Sequence, residues 1–234
     1  MLYEYVQDNL QSRFTPIREL KSGARSQITL LRHTETGKQV ILRSFRGSAE
    51  IYRKLLPVEC ENLPKIWEAA EKDGQALVLE EYIRGDSLSF LLEDGRTLPP
   101  RQAAPIARQV CGALWVLHSL GIVHRDVKPS NVILRDKTAV LIDFDASRKY
   151  DASSRKDTQV LGTVGYAAPE QFGFTQTDAR ADIYALGVML NVMLTGQHPS
   201  RTLAKGHLGR VVQRCTMISP QHRYSSILRL MEDL

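Results

Sequence analysis

The chain has 234 residues, 43% of them hydrophobic and 24% charged, with a net charge of +5; that is enough for a sizeable core and suits one protein of two compact lobes. No apolar run approaches the ~20 residues that a membrane span needs, and the basic residues alternate with acids rather than forming a tract, which argues against a nucleic-acid partner. Cys60, Cys111 and Cys215 are odd in number, far apart and without a C-x-x-C pair, so they are expected to be reduced thiols in the cytoplasm rather than zinc ligands, and the opening Met1-Leu2-Tyr3-Glu4-Tyr5 has neither the basic head nor the apolar stretch of an export signal.

Residues 1–82 read as strand-rich with short helical pieces. Residues 27–31 and 39–42 form an antiparallel hairpin about a turn at 35–38, and the apolar run 76–79 supplies another strand. Arg84-Gly85-Asp86 breaks the pattern and marks a connector. From Leu98 the period changes: Pro99 and Pro100 suit a helix start, and Ile106, Val110, Ala113, Leu114 and Leu117 fall at helical spacing. Gly121 stops that helix, and residues 132–134 and 140–142 flank Asp136-Lys137-Thr138 as a short hairpin. Residues 183–194 are nearly all apolar, the mark of a helix buried all round, and helices over 210–216 and 225–234 close the chain. There is no internal repeat or low-complexity segment.

Two loops, each carried by these rigid elements, hold groups suited to chemistry. The first is His124-Arg125-Asp126-Val127-Lys128-Pro129-Ser130-Asn131, and the second is Ile142-Asp143-Phe144-Asp145. Asp126 can take a hydroxyl proton, and Lys128, two residues on along an extended loop, points the same way and can neutralise oxygens. Asn131 and Asp143 offer the hard oxygen atoms that Mg²⁺ prefers. One such motif could be a cap on a helix-to-strand turn; two in register, a hairpin apart, are hard to read that way.

The two motifs resemble the H-R-D-L-x-x-x-N and D-F-G signatures of protein kinases, with Asp145 in place of the glycine. The resemblance extends through Gly162-Thr163-Val164-Gly165-Tyr166-Ala167-Ala168-Pro169-Glu170, through Asp182-Ile183-Tyr184-Ala185-Leu186-Gly187 and to Arg223, and so covers nearly the whole chain. It implies an α+β fold of two lobes, a small antiparallel-β N-lobe (1–82), a hinge (83–87) and a mainly helical C-lobe (88–234). It further implies a compact bacterial Ser/Thr kinase in which ATP and Mg²⁺ serve transfer of the γ-phosphoryl group to Ser/Thr hydroxyls of proteins, itself included. Asp126, Lys128, Asn131 and Asp143 are then catalytic, the last two as metal ligands. The ATP-binding positions become Gly23, Ile28, Ile41, Arg43, Glu50, Glu81, Ile83 and Ile133. Asp182 braces the catalytic loop, Thr163 contacts Asp126 and Lys128, and Glu170 pairs with Arg223 for structure rather than catalysis. Tyr150, Ser153, Ser154 and Thr158 are candidate phosphorylation sites whose phosphate could dock on Arg125.

The nucleotide side departs from that pattern. Lys21-Ser22-Gly23-Ala24-Arg25-Ser26 keeps only the central glycine of the phosphate loop, with Lys21 and Arg25 as added positive charge. Val40-Ile41-Leu42-Arg43 has Arg43 where the family has lysine, a planar fork in place of a compact ammonium, and Ile41 in place of a small alanine. Glu50, on the stretch 48–55, is the candidate helix partner of Arg43, with Glu59 and Glu61 nearby. Glu80 falls at a position that is usually apolar, and a buried carboxylate needs a partner, so Arg43 is expected to turn inward to Glu80 or Glu50. Asp145 removes a backbone freedom, although aspartate tolerates left-handed geometry. Only residues 200–206 stand where a further helix is common, so the C-lobe is expected to be reduced. Two alternatives follow: a pseudokinase that binds nucleotide or partners, and a small-molecule phosphotransferase, whose metal loop I-D-F-D resembles but whose families generally lack Lys128 and the 162–170 segment.

Overall fold

The structure, a computed structural model, describes residues 2–23, 26–149, 163–172 and 177–234. The chain forms two compact units, residues 1–60 with 64–83 and residues 61–63 with 84–234.

The first unit opens with a helix, α1 (Leu2–Arg13), that the strand-rich reading of this region does not include. Tyr3, Val6 and Leu10 recur at helical spacing, which is the signal for it. The strands β1 (Phe14–Ser22), β2 (Ser26–His33) and β3 (Gln39–Arg46) follow, then a short helix α2 (Glu50–Leu55), and then β4 (Ile66–Lys72) and β5 (Gln75–Glu81). They make one five-stranded antiparallel sheet in the order β1-β2-β3-β5-β4.

Side chains alternate across a strand, and here both faces are covered. On one face Leu31, Val40, Ala70 and Leu77 pack with Val6 and Leu10 of α1. The other face carries Ile28, Leu30 and Ile41, and α2 lies on it: Glu71 of β4 accepts the Ala49 N–H at 2.9 Å and the Arg53 guanidinium at 2.6 Å, while the rings of Phe45 and Tyr52 stand 5.7 Å apart. Double coverage explains why Val40-Ile41-Leu42 and Ala76-Leu77-Val78-Leu79 read as continuous apolar runs rather than as alternation.

The second unit contains β6 (Asp86–Ser87), α3 (Leu88–Leu91), α4 (Pro100–Ser119), β7 (Ile122–Val123), β8 (Val132–Arg135), β9 (Thr138–Leu141) and β10 (Arg148–Lys149). The helices α5 (Arg180–Thr195), α6 (Gly206–Cys215) and α7 (Ile227–Glu232) complete it. β8 and β9 form the expected hairpin, with β6 on the outer side of β8, and β10 pairs with β7. α4 turns Ala107, Val110, Cys111, Leu114 and Leu117 inward and ends at Gly121, whose φ of 71° is left-handed, as its stop position requires.

α6 begins at Gly206, four residues before the start expected at Arg210. Glycines at both ends of Gly206-His207-Leu208-Gly209 hide the helical signal, and tertiary packing overrides it. The segment 197–205 forms no helix, in keeping with the reduced region read there. Buried Asn191 holds it: its amide nitrogen faces the carbonyls of Gln197 and Thr202, each at 2.8 Å, and its amide oxygen accepts the Ala204 N–H at 2.9 Å.

α5 is buried almost throughout, as its apolar run requires. Gly187 brings it against α6, because a Cβ added there would stand 2.3 Å from the Cys215 Cβ. Gly187→Ala is therefore expected to lower stability by about 1–3 kcal/mol through overpacking, read as a fall in the thermal unfolding midpoint.

Candidate active site

The loop 124–128 is held at both ends by small ladders. β7 leads into it and pairs with β10, while a 3-10 turn at Pro129–Asn131 leads out into β8. The Ile142 N–H donates to the Asn131 carbonyl at 2.8 Å, so the two motifs, 11 positions apart in number from Asn131 to Ile142, are tied backbone to backbone.

Beneath the loop lies the Asp182 carboxylate, fully buried in the first turn of α5. It accepts the N–H groups of His124 at 2.9 Å and Arg125 at 2.7 Å, and the His118 Nε2 at 2.8 Å. Burial alone would raise this carboxyl, but the His118 hydrogen bond and the other donors outweigh it and hold the pKa below the ordinary value. Giving two successive N–H groups to one carboxylate goes with a φ of 68° at Arg125, a left-handed conformation rare for that residue. The strain is held from the other side too, since the Gln171 Nε2 donates to the Arg125 carbonyl at 2.9 Å and its Oε1 accepts the Ala168 N–H at 3.0 Å. The Arg125 side chain is 1% exposed.

His124 is neutral by geometry. Its Nδ1 faces the Asp126 N–H at 3.3 Å and must accept, whereas its Nε2 faces the Ile142 carbonyl at 3.3 Å and must carry the proton. Full burial lowers its pKa, against the pull of Asp182, Asp143 and Asp126.

Above the loop four groups converge. The Thr163 hydroxyl donates to Asp126 Oδ1 at 2.7 Å and accepts from Lys128 Nζ at 2.6 Å. Lys128 Nζ also reaches Asp126 Oδ2 at 2.8 Å, and the Asn131 Nδ2 donates to the same carboxylate at 3.0 Å and to the Asp126 carbonyl at 2.9 Å. Burial would raise the Asp126 carboxyl, but Lys128 and Thr163, followed by Asn131, keep it below the ordinary carboxylate value and hence ionised. An alcohol seated where the Thr163 hydroxyl sits meets a proton acceptor and a cation at once.

Asn131 and Asp143, the candidate metal ligands, suit that role by their chemistry. Both contacts of the Asn131 amide nitrogen go to Asp126, which orients the amide oxygen away from it, and Asp143 stands at φ 69° beside the strand end tied to Asn131. One amide oxygen and one carboxylate suit a hard cation that keeps water and phosphate in the rest of its shell. Among the described residues no group of three or more His, Cys, Asp or Glu side chains is placed to hold a metal by itself. The left-handed backbone in this loop falls at Asp143 and not at Asp145, which is absent from the positive-φ residues. The missing glycine therefore imposes no backbone strain in this conformation.

Glu170 and Arg223 form the expected pair, bidentate at 2.6 and 2.9 Å. The remaining guanidinium donors go to the carbonyls of Met217, Arg180 and Ile218, so all five N–H groups of a buried arginine are used. Breaking one side of such a pair is costly.

The nucleotide-side residues other than Ile133 lie in the first unit. Gly23 follows β1, and its N–H donates to the Ser26 carbonyl at 3.0 Å; Ala24 and Arg25 lie outside the described residues. Ile28 and Ile41 are buried on one face of the sheet. On that face Arg43 Nε donates to Glu80 Oε1 at 2.6 Å, with both side chains 4% exposed. Glu50 stands in the first turn of α2 with an exposed side chain. Glu81 donates its N–H to the Lys65 carbonyl at 2.8 Å, and Ile83 is buried. In the second unit Ile133 lies on β8 opposite Ser87 and Val140. Thr158, with Tyr150, Ser153 and Ser154, lies outside the described residues.

Sequence reasoning missed His118, Gln171 and Ser147, which donates to the His124 carbonyl at 3.2 Å. Gln171 and Ser147 are remote in sequence from the loop they support, and His118 acts on it through the distant Asp182; only a polar residue among apolar neighbours hinted at His118.

The profile described as the protein kinase domain matches residues 14–228, so α1 precedes the matched span. Among curated proteins the chain is similar to "Serine/threonine-protein kinase pkn2" of Myxococcus xanthus, 31% identical over 209 residues, covering 81% of this chain and 25% of that protein. It is also similar to "Serine/threonine-protein kinase PknH" of Mycobacterium tuberculosis, 36% identical over 162 residues, covering 66% of this chain and 26% of that protein. A third, "Serine/threonine-protein kinase PknL" of the same species, is 40% identical over 131 residues, covering 55% of this chain and 33% of that protein. The chain thus spans between 25% and 33% of the length of these three relatives.

The depressed pKa values fix an acid limit. A group whose folded pKa is lowered stabilises the fold above its unfolded pKa and loses that contribution as pH falls. For His124 the loss starts near the ordinary histidine value of 6.5; for Asp126 and Asp182 it starts near the ordinary 3.8 and continues below. Unfolding midpoints measured against pH are expected to fall in two stages, and His124→Gln to lack the first.

Proposed function

The chain belongs to the protein kinase family, and we propose that it is an ATP-dependent enzyme that transfers the γ-phosphoryl group to serine and threonine hydroxyls of proteins, itself included. The observation that carries this reading is the convergence of Asp126, Lys128 and the Thr163 hydroxyl within 2.6–2.8 Å of one another. Thr163 shows how this pair grips an alcohol. Asp126 orients the acceptor hydroxyl through its proton and receives that proton. Because its pKa is depressed, it is a weak base, so the proton moves late, once the attacking oxygen has begun to bond and has become acidic. Lys128 offsets the charge that builds on the transferring oxygens. Asn131 and Asp143 hold Mg²⁺, which when bound neutralises phosphate charge.

Gly23, Ile28, Ile41, Arg43, Glu50, Glu81, Ile83 and Ile133 are assigned to ATP. Gly23 supports the assignment by what the fold does not ask of it. Its φ is not left-handed, and among the described residues an added Cβ would meet only the Ser26 carbonyl oxygen at 3.5 Å, an ordinary contact. The fold alone would accept alanine there. Gly23→Ala is expected to leave the melting midpoint unchanged while raising the KM for ATP severalfold, because a methyl group blocks close approach of phosphate to backbone.

We place the chain in the cytoplasm. Its three cysteines are free thiols, which suits a reducing compartment. No described helix is long and apolar enough to cross a membrane.

One observation favours a second reading, a pseudokinase that binds partners or nucleotide without transfer: the cation of β3 is an arginine held by Glu80. Radiolabelled ATP turnover decides between them. The wild type is expected to label a protein substrate or itself, and Asp126→Asn to lower the rate by about 10²–10⁴-fold. No signal from either supports the second reading.

A further inference from the structure

Positive charge is concentrated in one stretch of the chain. Acids and bases alternate elsewhere, but from Ile183 to Met231 stand six of the 31 Lys and Arg residues and none of the 26 Asp and Glu residues. The net charge of +5 therefore comes from the end of the second unit. Three of the six are engaged: Arg223 pairs with Glu170, Arg229 pairs with Glu232, and the Arg214 guanidinium lies 4.2 Å from the centre of the Tyr224 ring. Arg201, Lys205 and Arg210 are exposed, and among the described residues none of them has a carboxylate partner.

Lys205 lines a groove, and the other two adjoin its walls in sequence. The segment 197–205 crosses from the end of α5 to the start of α6 without forming a helix, and beside it lies a groove of about 570 Å³. Pro100, Leu194, Leu203 and Leu208 give it apolar walls, and His207 lines it with Lys205. Leu203 is 39% exposed, an apolar side chain left facing solvent. Arg201 precedes the lining residue Thr202, and Arg210 stands one helical turn beyond His207, on the same side of α6.

The shape of the groove is set in advance. Asn191 pins the segment beside it by three hydrogen bonds, and α6 abuts that segment so closely that a Cβ added at Gly209 would overlap the Ala204 carbonyl. The His207 ring is tied to the Asp233 carbonyl at 2.7 Å. A preformed site loses little freedom on binding. The groove is also separate from the candidate active site: Thr195, which lines it, follows Asp182 by 13 residues on α5, about 20 Å along the helix axis.

Apolar walls with a basic rim fit a protein segment better than a nucleic acid. A phosphodiester backbone gains nothing from leucine walls, and no described Phe, Tyr or Trp lines the groove for a base to stack on. A segment with one large apolar side chain among Asp and Glu matches both features. Burying the side chain supplies affinity, while opposite charge supplies orientation and a faster encounter.

We infer that this groove docks an acidic segment of a partner protein, with one large apolar side chain between Leu194, Leu203 and Leu208 and flanking carboxylates facing Arg201, Lys205 and Arg210. Docking here stands apart from phosphoryl transfer and holds for an enzyme and a pseudokinase alike.

The test presents the whole chain with a positional-scanning library of short labelled peptides, each pool fixing one residue type at one position. The wild type is expected to select Asp or Glu on both sides of a single Leu, Ile, Met or Phe. The best peptide is then made singly and its affinity read by fluorescence anisotropy. Replacing its apolar residue by alanine should weaken binding about tenfold, the loss of most of one buried side chain. The double variant Lys205→Glu, Arg210→Glu should weaken it about tenfold as well and flatten its dependence on salt. Leu203→Glu should abolish binding. Melting midpoints are read alongside; all three replaced side chains are exposed, so the fold is expected to hold, and if Leu203→Glu fails to fold, the charge-reversal variant still decides. Absence of selection by the wild type overturns the inference, and so does a selected peptide that binds every variant equally, because it then sits elsewhere. Selection of basic peptides, equal competition by a single-stranded oligonucleotide, or dimers of the chain that Leu203→Glu dissolves would each give the groove another occupant and overturn it too.

Discussion

A single buried carboxylate, Asp182, holds the loop 124–128 in its shape. Three donors converge on it, two of them successive backbone N–H groups, and the loop takes the left-handed turn at Arg125 to present them. Such a turn persists only where the surroundings over-determine it. Asp182 sits in the first turn of α5, a helix locked into the core by apolar side chains and by the close approach at Gly187. The loop is thereby referenced to a helix buried along most of its length. Asp126 and Lys128 inherit their mutual geometry from that reference, which suits a reaction catalysed mainly by holding groups in place.

The polar network around the loop joins side chains from several elements to its backbone. His124 is kept neutral so that one ring nitrogen can accept from the backbone while the other donates. Gln171 clamps the Arg125 carbonyl, and Ser147 the His124 carbonyl. Each of these contacts pairs a backbone polar group that would be costly to bury alone. Apart from Asp145 and the shortened segment before α6, the departures from the family pattern lie in the sheet of the other unit, where Arg43 and Glu80 are joined.

Much of the second unit was legible from the chain because its signals are local. The stripe Val110, Leu114 and Leu117 marks α4, Gly121 marks its end, and the hairpin of β8 and β9 follows from two apolar runs about Asp136-Lys137. The first unit was read less completely. Continuous apolar runs in β3 and β5 imply cover on both faces, but the helix that supplies it on one side, α1, is polar at most positions and announces itself only through Tyr3, Val6 and Leu10. The early start of α6 was hidden because glycine lowers helix propensity, while packing decides the outcome.

Residue identity by itself determined the types and spacing of the candidate groups, because motif spacing is a property of the chain, whereas the pairing of Glu170 with Arg223 followed from the resemblance to protein kinases. It narrowed the partner of Arg43 to two carboxylates and went no further. The contact with Glu80 belongs to the tertiary structure, since it depends on strand register, which brings positions 37 residues apart to within one hydrogen bond. The same holds for His118 and Gln171, whose roles exist only once α4 and the segment before α5 are folded against the loop. Local signals travel along the sequence, whereas a buried polar contact is settled by which distant elements must share the space that excludes water.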